Sequence, residues 1–280
     1  MKGAGTLFVV ATPLGDRSDL SARAAETLRA AELVVAEDTR SARRLLAEIG
    51  AGDKPVVSCF DANEAARAAE VAARLTAGAQ VALISEAGTP LVSDPGYRVV
   101  TAAISVGARV VPVPGPSAVL AALMAAGLPT DRFLFLGFPP RKPGPRRRLF
   151  ESARALPFTL VLYESPLRAG ATLADLAAVL GDGRPACLAR ELTKPHEELV
   201  RDTLGGLAAR YADDRPLGEV TLVVGGAPAS AAAEDLDDDE IRARAADLTA
   251  QGQSTGDAAR ALAELTGRPR REIYNLISRG

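Results

Sequence analysis

Tryptophan is absent from the chain, and aromatic residues make up only 4% of its 280 positions. Large rings therefore do not fill the interior; the 48% of hydrophobic residues, mostly Ala, Leu and Val, must pack it instead. Histidine occurs once, at His196, which excludes a metal site built from several imidazoles, and none is expected. Cys59 and Cys187 lie far apart in strand-like surroundings. They fit neither a ligand spacing nor a disulfide framework and read as small buried hydrophobes. No apolar run reaches the roughly 20 residues that cross a bilayer, and no signal-peptide pattern precedes Leu7. A soluble cytoplasmic protein with no membrane partner is expected. Excess charge is lacking too: the formal net charge is −2, so any contact with a polyanion has to be local.

What the chain does have is a set of three Gly- and Pro-punctuated turns, each after an apolar run. Thr12-Pro13-Leu14-Gly15-Asp16 follows LFVVA, Ala87-Gly88-Thr89-Pro90 follows VALIS, and Pro114-Gly115-Pro116-Ser117 follows RVVPV. The runs are continuous and β-branched, as in strands buried on both faces of a parallel sheet. Ligands of open α/β sheets bind outside the carboxyl ends of the strands, so the three turns predict one composite cleft. Each turn by itself would be an ordinary strand-to-helix connection. Gly88 and Gly115 let the backbone approach a ligand closely, and Thr89 and Ser117 supply hydroxyls. Neither GxGxxG nor a P-loop lysine is present.

The pattern predicts strands over 7–11, 33–37, 56–59, 81–85 and 109–113, alternating with helices over 21–31, 41–49, 64–77 and 97–106. A helix over 118–126 follows. Later strands are read over 133–138, 158–163, 186–190 and 219–224, with helices over 171–180 and 205–210. This divides the chain into an α/β domain over 1–113, a second α/β domain of mixed sheet over 114–228, and an acidic linker with a helical C-terminal domain over 229–280. The last of these has helix-turn-helix texture.

In order, the chain carries TPLGD, AEDTR (36–40), SEAGTPLVSDPGYR (85–98), PGPSA (114–118), GLPTDRF (127–133), YESP (163–166) and ARELTK (189–194). With these seven motifs the chain resembles the tetrapyrrole methylase superfamily of S-adenosylmethionine methyltransferases. Within it, the likeness is to bacterial enzymes that 2′-O-methylate a cytidine of small-subunit ribosomal RNA. The resemblance spans about Leu7 to Gly225 and continues weakly into the tail. It implies a class III methyltransferase architecture: two α/β domains, S-adenosylmethionine in the cleft between them, and a homodimer. It also implies that the cofactor contacts Leu14, Thr89, Val92, Ser117, Ala118 and Tyr163 beside Gly88, with backbone near Ala189 and Glu219. Two departures stand out. Histidines common in relatives are missing from Ser58–Glu64, though Asn63 and Glu64 remain, and Asp16 replaces a frequent Asn.

The reaction so implied is in-line attack of a ribose 2′-hydroxyl on the methyl of S-adenosylmethionine, with a cytidine in the decoding region as target. It needs alignment and a proton acceptor. Asp38, beside Glu37 at the end of a strand, is one candidate base, although such a pair also caps the next helix, with Arg40 as partner. Glu191 and Lys194 are a second pair. A lysine whose pKa is lowered takes up a proton; alternatively Lys194 holds the phosphate next to the target. Glu164 is a third carboxylate, fit either to act or to orient its loop. His196 reads as a surface residue. For RNA, Arg141, Lys142, Arg146, Arg147 and Arg148 form a basic run on a Pro/Gly-rich loop suited to phosphates. Three arginines at a helix start oppose its dipole, which favours a polyanion partner; Arg40 joins this set. Arg268, Arg270, Arg271 and Arg279 suggest a second patch. A porphyrinoid C-methyltransferase and a DNA-binding regulator that keeps the fold as a cofactor sensor are the competing readings.

Overall fold

The computed structural model describes residues 4–213, 215–228 and 236–278. Expectations about residues 229–235 of the linker and about Arg279 lie outside the described residues. Two compact units divide the chain: one holds residues up to Ser152 and Thr159–Gly225, the other Ala153–Phe158 and the chain from Gly226 onward.

Strands β1 (Thr6–Val10), β2 (Leu33–Ala36), β3 (Val56–Ser58), β4 (Gln80–Ile84) and β5 (Arg109–Val113) form an all-parallel sheet ordered β3-β2-β4-β1-β5. Helices α1 (Ala22–Ala30), α2 (Thr39–Glu48), α3 (Glu64–Thr76) and α4 (Tyr97–Ser105) make the crossovers. Alternate residues of one strand serve opposite faces. Val34 packs with Leu28 of α1 and Leu46 of α2, while Leu33 and Val35 pack with Val71 of α3 and Val99 of α4. Burial on both sides is why these strands read as continuous apolar runs. Parallel strands end at one edge, and β4, β1 and β5 are neighbours. The three turns singled out in the sequence therefore emerge side by side.

The second sheet belongs to the same unit. It contains β6 (Phe133–Phe135), β7 (Thr159–Glu164), β8 (Pro185–Arg190), β9 (Glu198–Thr203) and β10 (Val220–Val224), ordered β6-β7-β10-β8-β9. Only the β6–β7 pair is parallel; the others run antiparallel, giving the expected mixed sheet. Helix α5 (Ala118–Ala126) packs Val119 and Leu123 onto Val161 and Val223. Helices α7 (Ala169–Leu180) and α8 (Leu204–Arg210) complete this half.

Two elements escaped the sequence reading. β9 is an edge strand bonded only to β8, and its sole apolar residues are Leu199 and Val200, too few for a strand signal. Of the basic run expected on a loop, Arg141 and Lys142 precede a helix, α6 (Pro143–Ala153), and Arg146, Arg147 and Arg148 lie inside it. Pro143 sits in the first turn, where a missing N–H costs no helical bond.

In the other unit, α9 (Asp238–Ala250), α10 (Thr255–Thr266) and α11 (Arg270–Ser278) bury Ile241, Ala245, Ala259, Leu262 and Ile273 among themselves. Asp237 and Glu240 form a capping box at the start of α9, the structural meaning of the acidic stretch. Arg268 is held by Asp238 at 2.8 Å and by Glu272 at 2.7 Å, so it braces these helices rather than adding to a basic patch. Among the described residues, no helix is long and apolar enough to cross a membrane.

Candidate active site

The three turns are bonded to one another. The Thr12 amide donates to Gly88 O at 2.8 Å, and Gly88 N returns a bond to Thr12 O at 3.0 Å. Thr89 Oγ1 donates to Pro116 O at 2.9 Å, which joins the turn after β4 to the turn after β5. From the second half, Thr193 and Asp16 are linked through the Asp16 amide at 3.1 Å. Gly88 has φ +80°, and a Cβ there would stand 3.0 Å from Leu14 Cδ2. Only glycine makes that approach without strain.

A cavity of about 330 Å³ opens at this junction. Its lining includes Leu14, Gly88, Thr89, Val92, Ser117, Ala118, Tyr163 and Glu219, eight of the nine residues implied as cofactor contacts. Ala189 is the exception: it is fully buried in the core behind the wall, paired with Thr221, which does line the cavity. Tyr163 stands edge-on to Phe135 at 4.9 Å and near Phe138 at 5.5 Å. Burial pushes the Tyr163 hydroxyl up to about 12, so it stays protonated. Asp94, Glu164 and Glu219 supply carboxylates, with no lysine or arginine among the described lining residues. Apolar and aromatic walls with acidic groups fit an adenosine carrying a sulfonium and an ammonium group. S-Adenosylmethionine thus matches the donor set of this cavity.

A second cavity of about 290 Å³ adjoins it and shares Leu14, Ala87 and Glu219. Its own walls are Arg17, Ser41, Leu45, Ser85, Glu86 and Lys194, so cations enter here and not in the first.

Each of the three expected catalytic residues is tied to a charged partner. Asp38 caps α2, accepting from Arg40 N at 2.6 Å and Ser41 N at 3.2 Å, and it pairs with the Arg40 guanidinium at 3.0 Å. These bonds, the guanidinium first, hold its pKa down to about 2, too low for an effective base near neutrality. Lys194 Nζ reaches Glu191 at 3.0 Å and Glu219 at 3.2 Å. Partial burial works to lower its pKa, but the two carboxylates outweigh burial and raise it. Its pKa is thus raised, the opposite of what the base reading needs, and the two carboxylates hold Lys194 as a cation. Glu191 is lowered in turn, chiefly by the bond from Lys194, and it also accepts from Glu219 N at 3.1 Å. Glu164 is buried and orients its loop: Ser165 N, Arg168 Nε and Thr172 Oγ1 donate to it at 2.7, 2.7 and 2.6 Å.

Of the expected RNA contacts, Arg146 is corrected. Only 4% exposed, it donates from Nε to Asp175 of α7 at 2.7 Å. Arg147 reaches the other oxygen of Asp175 at 2.6 Å. The carboxylate, not a polyanion, answers the unfavourable helix start. Arg40, Arg141, Lys142, Arg147 and Arg148 remain exposed, as does His196.

One carboxylate of the site was passed over. Asp94, in the SDPG stretch, lines the first cavity, and its loop is fastened by Glu64, which accepts from Gly96 N at 2.8 Å and Arg98 N at 2.9 Å. The loop itself holds Leu91 and Ser93 at φ 71°, a left-handed geometry that non-glycine residues adopt where structure around them enforces it. An Asp-Pro-Gly sequence reads as a turn, which masked the site role.

Residues 6–208 match the family of tetrapyrrole (corrin/porphyrin) methylases. The chain belongs to that family, and it is a methyltransferase. It is 42% identical over 272 residues to a Synechocystis protein named ribosomal RNA small subunit methyltransferase I, covering 97% of each chain. A Mesorhizobium japonicum protein of the same name is 45% identical, with 97% of this chain and 90% of that one covered. Uroporphyrin-III C-methyltransferase from Thermus thermophilus, solved with S-adenosylhomocysteine, matches 79% of this chain and 97% of its own with a TM-score of 0.55. At 21% identity that last likeness speaks for the fold alone. The family and fold expectations both hold.

Proposed function

We propose that this protein transfers the methyl group of S-adenosylmethionine to the 2′-hydroxyl of a cytidine in the decoding region of small-subunit ribosomal RNA. It does so in the cytoplasm and as a homodimer. The observation that carries this reading is the 42% and 45% identity, over nearly the full length, to proteins named ribosomal RNA small subunit methyltransferase I. Two adjoining cavities of opposite character support it, one apolar and acidic, the other bearing Arg17 and Lys194.

S-Adenosylmethionine, when bound, supplies an already activated methyl group. Leu14, Val92 and Tyr163 wall its adenosine, Thr89, Ser117 and Ala118 line the turns beside it, and Glu219 offers a carboxylate to its positive end. Alignment of this kind contributes about 7–11 kcal/mol in favourable cases. Lys194 and Arg17 hold a phosphate flanking the target nucleotide, and the exposed Arg40, Arg141, Lys142, Arg147 and Arg148 position the rest of the RNA without reading sequence. An apolar outer face supports the dimer: α5 carries no polar residue and leaves Leu120 and Met124 51% and 82% exposed, with Phe133 and Leu134 also exposed on β6.

Labelled methyl transfer to small ribosomal subunits and to naked RNA, followed by nucleoside analysis, tests this function. Labelled 2′-O-methylcytidine is expected. Label on a porphyrinoid substrate, with none on RNA, would move the protein to the C-methylating branch of its family.

A further inference from the structure

The second cavity, of about 290 Å³, offers more than cations. Its lining includes the apolar side chains of Ala42 and Leu45 from α2, Pro13 after β1, and Ile84 at the end of β4. A phosphate has no use for such walls, whereas the faces of a nucleobase do. Leu14, Ala87 and Glu219 belong to both cavities. A ribose at that shared rim reaches the donor cavity with its 2′-hydroxyl while its base lies in the second.

Glu86 is the one described carboxylate that lines the second cavity and not the first. Ser41 Oγ donates to its Oε1 at 3.2 Å, and Ser41 is itself fixed by its amide on Asp38 at 3.2 Å, in the first turn of α2. The cations nearby are held by other carboxylates: Arg40 by Asp38 at 3.0 Å, Arg17 by Glu48 at 3.3 Å, and Lys194 by Glu191 and Glu219. Among the described residues, Glu86 therefore has no ion pair, and only its Oε1 receives a hydrogen bond.

Resting on the ribose-methylation reading, we propose that Glu86 selects the base: the cytosine of the target nucleotide lies in the second cavity and donates its 4-amino group to Glu86 Oε2. An ionised carboxylate only accepts hydrogen bonds. It pairs with the amino group of cytosine and repels the carbonyl oxygen that uracil carries at the same place. Ser41 is a positioning residue, since its bond to Oε1 turns the carboxylate and leaves Oε2 for the base.

Selectivity tests the assignment, read as kcat/KM on small subunits reassembled with RNA that carries cytosine, uracil or 2-pyrimidinone at the modified position. The last base is cytosine without its amino group. Native protein should prefer cytosine to either by about tenfold or more, the worth of one charge-assisted base contact. Glu86→Gln, whose amide also donates, should bring cytosine and uracil to within about threefold of each other. Glu86→Ala should treat cytosine and 2-pyrimidinone alike, and Ser41→Ala should lose part of the preference. Calorimetry should find S-adenosylmethionine bound as in native protein by all three variants, because neither residue lines the donor cavity. An undiminished cytosine preference in Glu86→Ala, or native protein that accepts 2-pyrimidinone as well as cytosine, overturns Glu86 as the selector and leaves ribose methylation intact. Native protein that binds the donor yet modifies no ribose on any of the three RNAs overturns both.

Discussion

The two halves of the α/β unit place their charges differently. Around the first sheet apolar side chains build both core layers, and charged side chains gather at the strand ends, where Glu86 lines one cavity and Asp94 the other. The second half takes charge inside: Arg146 and Arg147 converge on Asp175, and Arg168 and Thr172 on Glu164, to lock α6 and α7 together and to the end of β7. A parallel sheet covered on both faces leaves its strand ends as the place for polar groups. The mixed sheet builds its helix contacts partly from ion pairs, so basic residues there need not mark a ligand.

Asp175→Ala should break this contrast with the largest effect, because it strands the buried Arg146 without its counter-charge. A loss of about 3–5 kcal/mol in urea unfolding is expected, against within about 0.5 kcal/mol for Arg148→Ala. Equal losses would mean that the pair is not structural. Asp94→Asn should act in the opposite direction. A carboxyl raised from 3.8 to about 6 on folding binds more protons folded than unfolded, so native stability is lost as pH rises through that window. The variant should be more stable than native protein above pH 6 by about 1–2 kcal/mol, after discounting for partial exposure. The difference should vanish near pH 4, and a variant that is less stable at pH 7 would contradict the raised pKa.

Gly88→Ala sharpens the distinction between the cavities. Its Cβ meets Leu14 in a left-handed backbone, so donor affinity by calorimetry should drop at least about tenfold, or about 1.4 kcal/mol. RNA retention on filters should stay unchanged. Lys194→Ala is its mirror and the smallest effect. Donor affinity does not fall, since Glu219 only loses a competing cation, while RNA binding weakens a few-fold and the slope of log affinity against log salt falls by about one. A fall in donor affinity alone would show that Lys194 had been assigned to the wrong cavity.

The first sheet was the more legible half. Its strands are continuous β-branched runs ended by glycine and proline, and the expected boundaries differ from the observed ones by a residue or two. Convergence of the three turns was likewise readable, because parallel strands must end together. β9 and α6 were not: an edge strand half exposed to solvent keeps little apolar signal, and Pro-Gly-Pro looks like a loop until arginines find a partner 28 and 29 residues away.

Sequence by itself determined the family, the α/β alternation and which turns build the cavity, since these follow from local patterns and ordered motifs. Only the tertiary structure decided which charges are free. Whether a carboxylate is a cap, a strut or a group titrating near neutrality depends on what stands opposite it. Asp38 and Asp94 look alike along the chain, yet the first meets a guanidinium and a helix N-terminus and is held at about 2, while the second meets a hollow and other carboxylates and rises to about 6.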